Sequence, residues 1–344
     1  MTSGTLATTV VGNRPEGEAA PAPCGIEAVP GLGDRLFRRG SGLTGFLVLA
    51  IMAAVGIFLS IEAAQALRTT GAAFLTTAEW QPDRGRFGIA AVLTGTISIA
   101  LVAVAFSFPV AAGTALFISE VARPRAKQTL IAMVDLMAAV PSVVFGLWGL
   151  FLLQGQVIGL SRWLSTWLAW IPFFAVEGAD PTNPLGNDSV YTASTFIAGI
   201  VVGLMVMPIQ CSVMREVFSQ TPAGEREGAY ALGATRWGMV RAVVLPFGRG
   251  GMIGGTMLGL GRAMGETIAV LLIISPRFEI TSHVLEAGSN SVSSLIALRY
   301  SEASGFGLSA LFAAGLALFC LTLVINFTAS AFVARSRSGA SSEG

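Results

Sequence analysis

Charge is the first thing this 344-residue sequence lacks: Lys, Arg, Asp and Glu together make up 12% of it, against 53% hydrophobic residues. Soluble domains of ordinary composition carry about a quarter charged residues, and mean hydropathy here is +0.71, so a membrane protein is expected. The formal net charge of +1 gives a nucleic-acid partner no global electrostatic support. Histidine is reduced to His283, in a stretch expected to be an external loop. A solvated loop side chain is the plain reading, and a proton relay would need partners that the sequence does not name. The three cysteines, Cys24, Cys211 and Cys320, stand far apart with no C-x-x-C or Cys/His cluster, so neither a disulfide framework nor a metal site is indicated. Neither G-x-x-x-x-G-K-[ST] nor H-E-x-x-H occurs. The chain is therefore expected not to bind ATP through a P-loop, not to be an enzyme, and to need no cofactor.

Long apolar runs are what it has in quantity. A bilayer core takes about 20 mainly apolar residues per helix, and six stretches qualify: Leu43 to Leu67, Phe87 to Ser119, Leu130 to Leu153, Tyr191 to Met214, Gly250 to Ile274 and Phe306 to Ala334. An all-α polytopic architecture with six transmembrane helices follows, over residues 35–335. Residues 1–34 mix Thr, Gly, Pro, Ala and Glu without apolar period and are expected to be a disordered tail; 336–344 form a second tail. The first run is too long for the core of a signal peptide and should remain as an anchor.

One further stretch, Val157 to Val176, competes for a seventh place. Its Leu160, Trp163, Leu164, Trp167 and Leu168 fall on one helical face, opposite Ser161, Arg162, Ser165 and Thr166, which predicts an interfacial helix with Trp at headgroup level. With six spans and the N-terminus inside, Arg68, Arg84, Arg86, Arg162, Arg277 and Arg299 lie outside. Arg262 lies within a span, and the other arginines and Lys127 lie inside. That positive-inside bias places both termini in the cytoplasm.

Two stretches carry chemistry. In the fifth run, Gly251, Gly255 and Gly259 recur every four residues, leaving a helix face without side chains against which another backbone can pack. Arg262 and Glu266 continue that face. Charges at this depth cost about 2.5–3.5 kcal/mol on insertion scales and should face protein or water. Two readings stay open: a self-neutralised pair locking two helices, or Arg262 meeting an anion while Glu266 sets its position. Pro109, Pro141 and Pro208 can be packing kinks. Alternatively, Pro141 and Ser142, in A-A-V-P-S-V-V-F-G-L-W-G-L, place freed carbonyls and a hydroxyl along a pathway.

The second stretch, E-G-A-Y-A-L-G-A-T-R-W-G-M-V-R-A-V-V-L-P, runs from Glu227 to Pro246 within a basic connection over 215–249. Glu227, Ala231, Ala234 and Gly238 step at helical spacing, small residues near Gly233 permit close approach, and Pro246 should stop an unbroken run into the fifth span. A short cytoplasmic helix used as a docking surface fits this pattern.

That stretch resembles the EAA loop of binding-protein-dependent ABC importer permeases, with Glu227, Ala229, Gly233, Leu245 and Pro246 in matching places and Gly228 where Ala is usual. The resemblance implies the type I, MetI-like permease fold and docking of this loop into a cytoplasmic ATPase. A-A-V-P-S-V-V-F-G-L-W-G-L and G-L-G-R-A-M-G-E-T-I-A-V, Gly259 to Val270, are similar more narrowly to the PstC permeases of phosphate importers, over most of Gly113 to Phe332. This implies phosphate as transported substrate, a PstA-like second permease, two PstB-like ATPase subunits, an external PstS-like phosphate-binding protein and a bacterial cell membrane. PstA-type permeases share some of these elements. A PstA-type or molybdate or sulfate permease therefore stands as an alternative, with an ion-coupled secondary transporter further off.

Overall fold

The computed structural model describes residues 31–176, 188–303 and 305–338; most of both expected tails lies outside them. The chain divides into two compact units, residues 1–54 and 55–344. In the first, the described residues belong almost wholly to helix α1 (Leu32–Thr70), which begins inside the expected N-terminal tail. Phe46, Leu49 and Ile51 on it are exposed, as suits a helix whose solvent is lipid.

The rest of α1 and all later elements form the second unit. They are α2 (Ala73–Thr76), a two-stranded antiparallel ribbon of β1 (Trp80–Gln81) and β2 (Arg86–Phe87), α3 (Ala90–Leu116), α4 (Pro124–Ala139), α5 (Ser142–Trp148), α6 (Gln154–Trp167) and α7 (Thr195–Ser219). There follow α8 (Ala223–Ala231), α9 (Arg236–Met239), α10 (Leu245–Met264), α11 (Ile268–Ile273), α12 (Val292–Arg299) and α13 (Phe306–Ser338). Wider π-helical turns at Phe117–Val121, Gly149–Leu153 and Val240–Val244 extend α3, fuse α5 to α6 and fuse α9 to α10. Among the described residues six continuous helices are long and apolar enough to cross a bilayer: Leu36–Thr70, Ala90–Val121, Ser142–Trp167, Thr195–Ser219, Arg236–Met264 and Phe306–Ala331.

The third of these differs from expectation, and the physics is local. Pro141 has no N–H and bars Val140 from helical geometry; Val140 is extended at ψ 128 and the helix restarts at Ser142. The run from Leu130 is thus two helices, with the charge-bearing α4 left outside the spanning element. The stretch from Val157, expected as a separate interfacial helix, is the second half of this span. Its faces are also reversed relative to a water-facing helix: Ser161 and Ser165 are fully buried, whereas Leu160, Trp163 and Trp167 are exposed. In a bilayer the small polar residues pack inward and apolar ones meet lipid; Ser165 Oγ lies 3.0 Å from the buried Tyr191 hydroxyl.

Close contacts give the chain directions. Gly199 meets Val102 and Gly203 meets Phe106, so α3 and α7 run parallel; Gly248 meets Phe218 and Gly259 meets Gln210, so α7 and α10 run antiparallel. Gly146 lies on Ala269 and Gly149 on Ile273, which makes α5 and α11 parallel. Helix α13 packs antiparallel on the second half of α1, with Ser309 Oγ donating to the Glu62 carbonyl and Gly56 against Phe319. The central apolar core gathers Ile99, Val201, Val206, Met264 and Val270 from α3, α7, α10 and α11.

Candidate functional site

The segment expected to dock a partner is a helical hairpin. Helix α8 carries Glu227 and Ala229, and ends at Gly233, whose φ of +82 is left-handed. A Cβ at Gly233 would touch nothing within 4 Å, so glycine is needed here for backbone conformation. Thr235 then caps α9, its Oγ accepting from Gly238 N at 3.1 Å. Ala231 therefore shares α8 with Glu227, but Ala234 and Gly238 lie beyond the turn and do not continue that helix, as their spacing had suggested. Pro246 also does not stop the run. Leu245 N–H reaches back five residues to the Val240 carbonyl, and this wider turn makes room for the proline ring and its missing donor.

The hairpin encloses an open groove of about 520 Å³ lined by Glu225, Gly228, Ala229, Leu232, Ala242, Val243, Pro246 and Phe247. Gly228, the departure from the usual motif, is part of this lining. Apolar side chains stand in the open: Leu232 of this lining is 91% exposed, and Trp237 on α9 64%. Glu227 is exposed too, whereas Leu245 is half-buried. Exposed apolar area of this kind, framed by charge, is common to protein-contact, membrane-contact and ligand-binding surfaces.

At the other end of the same helix the expected continuation fails. The last turn of α10 tightens, with Gly265 N donating to the Arg262 carbonyl at 3.2 Å and Glu266 N to the Ala263 carbonyl at 3.3 Å, and the chain bends before α11. Arg262 and Glu266 are thereby separated. Arg262 is exposed and has no ion pair among the described residues, while Glu266 is buried. The Glu266 carboxylate accepts from Ala269 N at 3.2 Å, satisfying an orphan donor at the start of α11. The self-neutralised pair is not formed in this structure.

Gly255 and Gly259 do face α7. A Cβ on Gly259 would fall 2.1 Å from Nε2 of Gln210, which is wholly buried, and one on Gly251 would fall 2.4 Å from Val217. Pro141 and Ser142 open α5 on the same side as the start of α11, because those two helices run parallel. Ser142 and the Gly265–Thr267 bend thus belong to one end of one helix pair.

Sequence reasoning missed a polar knot beside that bend. Ser289 to Ser294 were expected in an external loop, yet all five polar residues of S-N-S-V-S-S are buried. Ser293 Oγ donates to the Glu266 carbonyl at 2.7 Å, and Val292 N donates to Thr96 Oγ1 on α3 at 3.0 Å. Ser291 and Ser294 form a reciprocal cap at the start of α12; that Ser-x-x-Ser spacing was the available signal. His283 is likewise less solvated than expected, with Nδ1 3.3 Å from one oxygen of the Glu286 carboxylate, whose other oxygen accepts from Arg277 at 3.2 Å.

Six spanning helices, a protruding helical hairpin between the fourth and fifth, and a bent fifth span define a multi-pass membrane component of the ABC importer permease type. The fold is similar to that of a solved bacterial ABC transporter involved in the import of the acidic polysaccharide alginate, with a TM-score of 0.53 at 18% identity, covering 88% of this chain and 99% of that one. Residues 111–338 match the family described as binding-protein-dependent transport system inner membrane component, and the chain belongs to that family. It is 38% identical over 304 residues to phosphate transport system permease protein PstC 2 of Mycobacterium tuberculosis, covering 87% of this chain and 91% of that protein. The corresponding PstC of Mycobacterium leprae is 39% identical (87% and 92% covered), and that of Haemophilus influenzae 34% (85% and 90%).

Proposed function

We propose that this chain is a transmembrane permease subunit of an ATP-driven phosphate importer. The observation that carries the reading is the single continuous helix Arg236–Met264, which runs from the exposed groove to Arg262. Pro246 and Arg262 are 16 residues apart, about 24 Å at 1.5 Å per residue, so a push on the groove reaches the bend without crossing a loop. The ATPase subunits, PstB-like in this reading, seat on the groove through Leu232, Trp237 and Glu227. A PstA-like second permease completes the pathway, and a PstS-like binding protein delivers phosphate from outside. The three relatives described above are phosphate permeases by name, which supports phosphate over molybdate or sulfate.

Arg262 stands ready for an anion because its charge has no ion-pair partner among the described residues. A cation in low dielectric attracts an oxyanion strongly and must also release it, which suits alternation between two states. Both termini lie in the cytoplasm, on the positive-inside argument. A reporter fused near Gly238 that reads external would overturn that orientation. The decisive test is labelled-phosphate uptake by the reconstituted complex with competing oxyanions and with an ATPase-dead partner. Uptake that persists with the dead ATPase, or that follows an ion gradient through this chain alone, sinks the proposal in favour of a secondary transporter.

A further inference from the structure

Helix α8 has no fully buried side chain, and Ala229 reaches the neighbouring core only in part. An apolar face is what usually holds a helix of nine residues to its protein, so something else must hold this one. Arg226, on its inner side, reaches two other elements. Its Nη2 lies 3.1 Å from Glu120 Oε1, in the π-helical turn that ends α3, and the Glu120 side chain is only 4% exposed. The same nitrogen donates to the Phe218 carbonyl at 2.6 Å, at the C-terminal end of α7, where the buried Thr221 hydroxyl also donates at 2.9 Å. The Phe218 ring in turn fills the space beside Gly248 of α10, where a Cβ would sit 2.4 Å from it. One guanidinium thus joins the docking helix to the ends of α3 and α7, and the residue that takes its hydrogen bond packs on α10.

From this geometry we infer that Glu120 and Arg226 form a clasp that transmits movement of α8 to α3 and α7, in parallel with the covalent route through α10. The inference rests on the docking role proposed above. Both residues are positioning residues: they touch neither substrate nor nucleotide, and act by making the docking helix and two spanning helices move as one body. An ion pair whose carboxylate is buried and whose guanidinium is half-buried is suited to this, because detaching α8 leaves the Glu120 charge buried without a partner, which disfavours that state. An apolar contact would allow α8 to slide.

The experiment uses the complete reconstituted complex carrying E120Q, R226Q, the double variant or R226K, with three readouts: copurified ATPase, ATP hydrolysis and labelled-phosphate uptake. Each single neutral variant should assemble and hydrolyse ATP while uptake per ATP falls about tenfold, the scale of coupling between contacting residues. The double variant should be no worse than the poorer single one, and R226K should keep most of the ratio. Should E120Q fail to assemble, the ratio is read on E120D, which keeps the charge with a shorter reach and should show an intermediate loss. Normal uptake per ATP in the single variants overturns the clasp, as do additive losses in the double variant or a fall that merely tracks the amount of complex recovered. If no ATPase copurifies with the unaltered chain, the docking reading itself fails, which is a different result from any of these.

Discussion

Two places on one helix, Pro246 and the bend at Gly265–Thr267, contrast sharply. At Pro246 the sequence announces a break and the helix continues; after Met264 the glycine-charge periodicity announces continuation and the helix ends. What separates them is where the displaced backbone hydrogen bonds can go. Before Pro246 a wider turn re-forms them within the same helix, through Leu245 N–H and the Val240 carbonyl. After Met264 side chains take them: the Glu266 carboxylate of the bend accepts from Ala269 N, and Ser293 of α12 donates to the Glu266 carbonyl. A proline weakens a helix, but a helix stops where its groups find partners elsewhere.

The comparison predicts rigid transmission near Pro246 and function near the bend. The largest effect is expected at Arg262. R262Q should lower labelled-phosphate uptake about a hundredfold, the scale on which losing one preorganised charge in low dielectric acts, with ATPase copurification unchanged; normal uptake would remove Arg262 from the pathway. Next, L232D should weaken ATPase retention about tenfold or more, as expected for an exposed interface anchor, without moving the thermal midpoint of the purified chain. Retention at the normal level would show that the groove is not the docking surface. Gly259→Ala forces the buried Gln210 aside and should cost about 1–3 kcal/mol of stability, partly restored by adding Gln210→Ala. If the second change makes matters worse, the two residues do not share the contact described. Gly233→Ala should cost about 1 kcal/mol through its positive φ alone. Smallest of all, Pro246→Ala should shift stability by no more than about 0.5 kcal/mol, since the helix is already continuous; a large shift in either direction would mean that the proline shapes the rod after all.

Much of the architecture was legible before any coordinates. Four of the six spanning helices overlap the expected runs closely, because burial in lipid demands length and apolarity and the sequence shows both directly, whereas the fifth starts before Pro246 at Arg236 and ends at Met264. The third span shifted by about half its length, since hydropathy averaged over Asp135 and Pro141 hides a break that one missing N–H and one sterically restricted neighbour impose. The reversed faces of α6 have a similar cause: amphipathic spacing identifies two sides of a helix without saying which solvent each side meets. At the docking segment, Glu227, Ala229, Gly233, Leu245 and Pro246 stood at recognisable spacing, but Leu232 and Trp237, its most exposed apolar groups, did not stand out.

By itself the sequence determined a six-span membrane protein with a basic connection between the fourth and fifth spans and a glycine-rich, charged fifth span. These properties follow from composition, periodicity and local backbone preference, which need no knowledge of neighbours. Only the tertiary structure decided that Arg262 and Glu266 part company, that Ser289 to Ser294 are buried beside the bend, and that Glu120 holds Arg226 across 106 positions of chain. Each of these depends on which distant group satisfies a buried donor, acceptor or charge, and sequence separation carries no record of that choice.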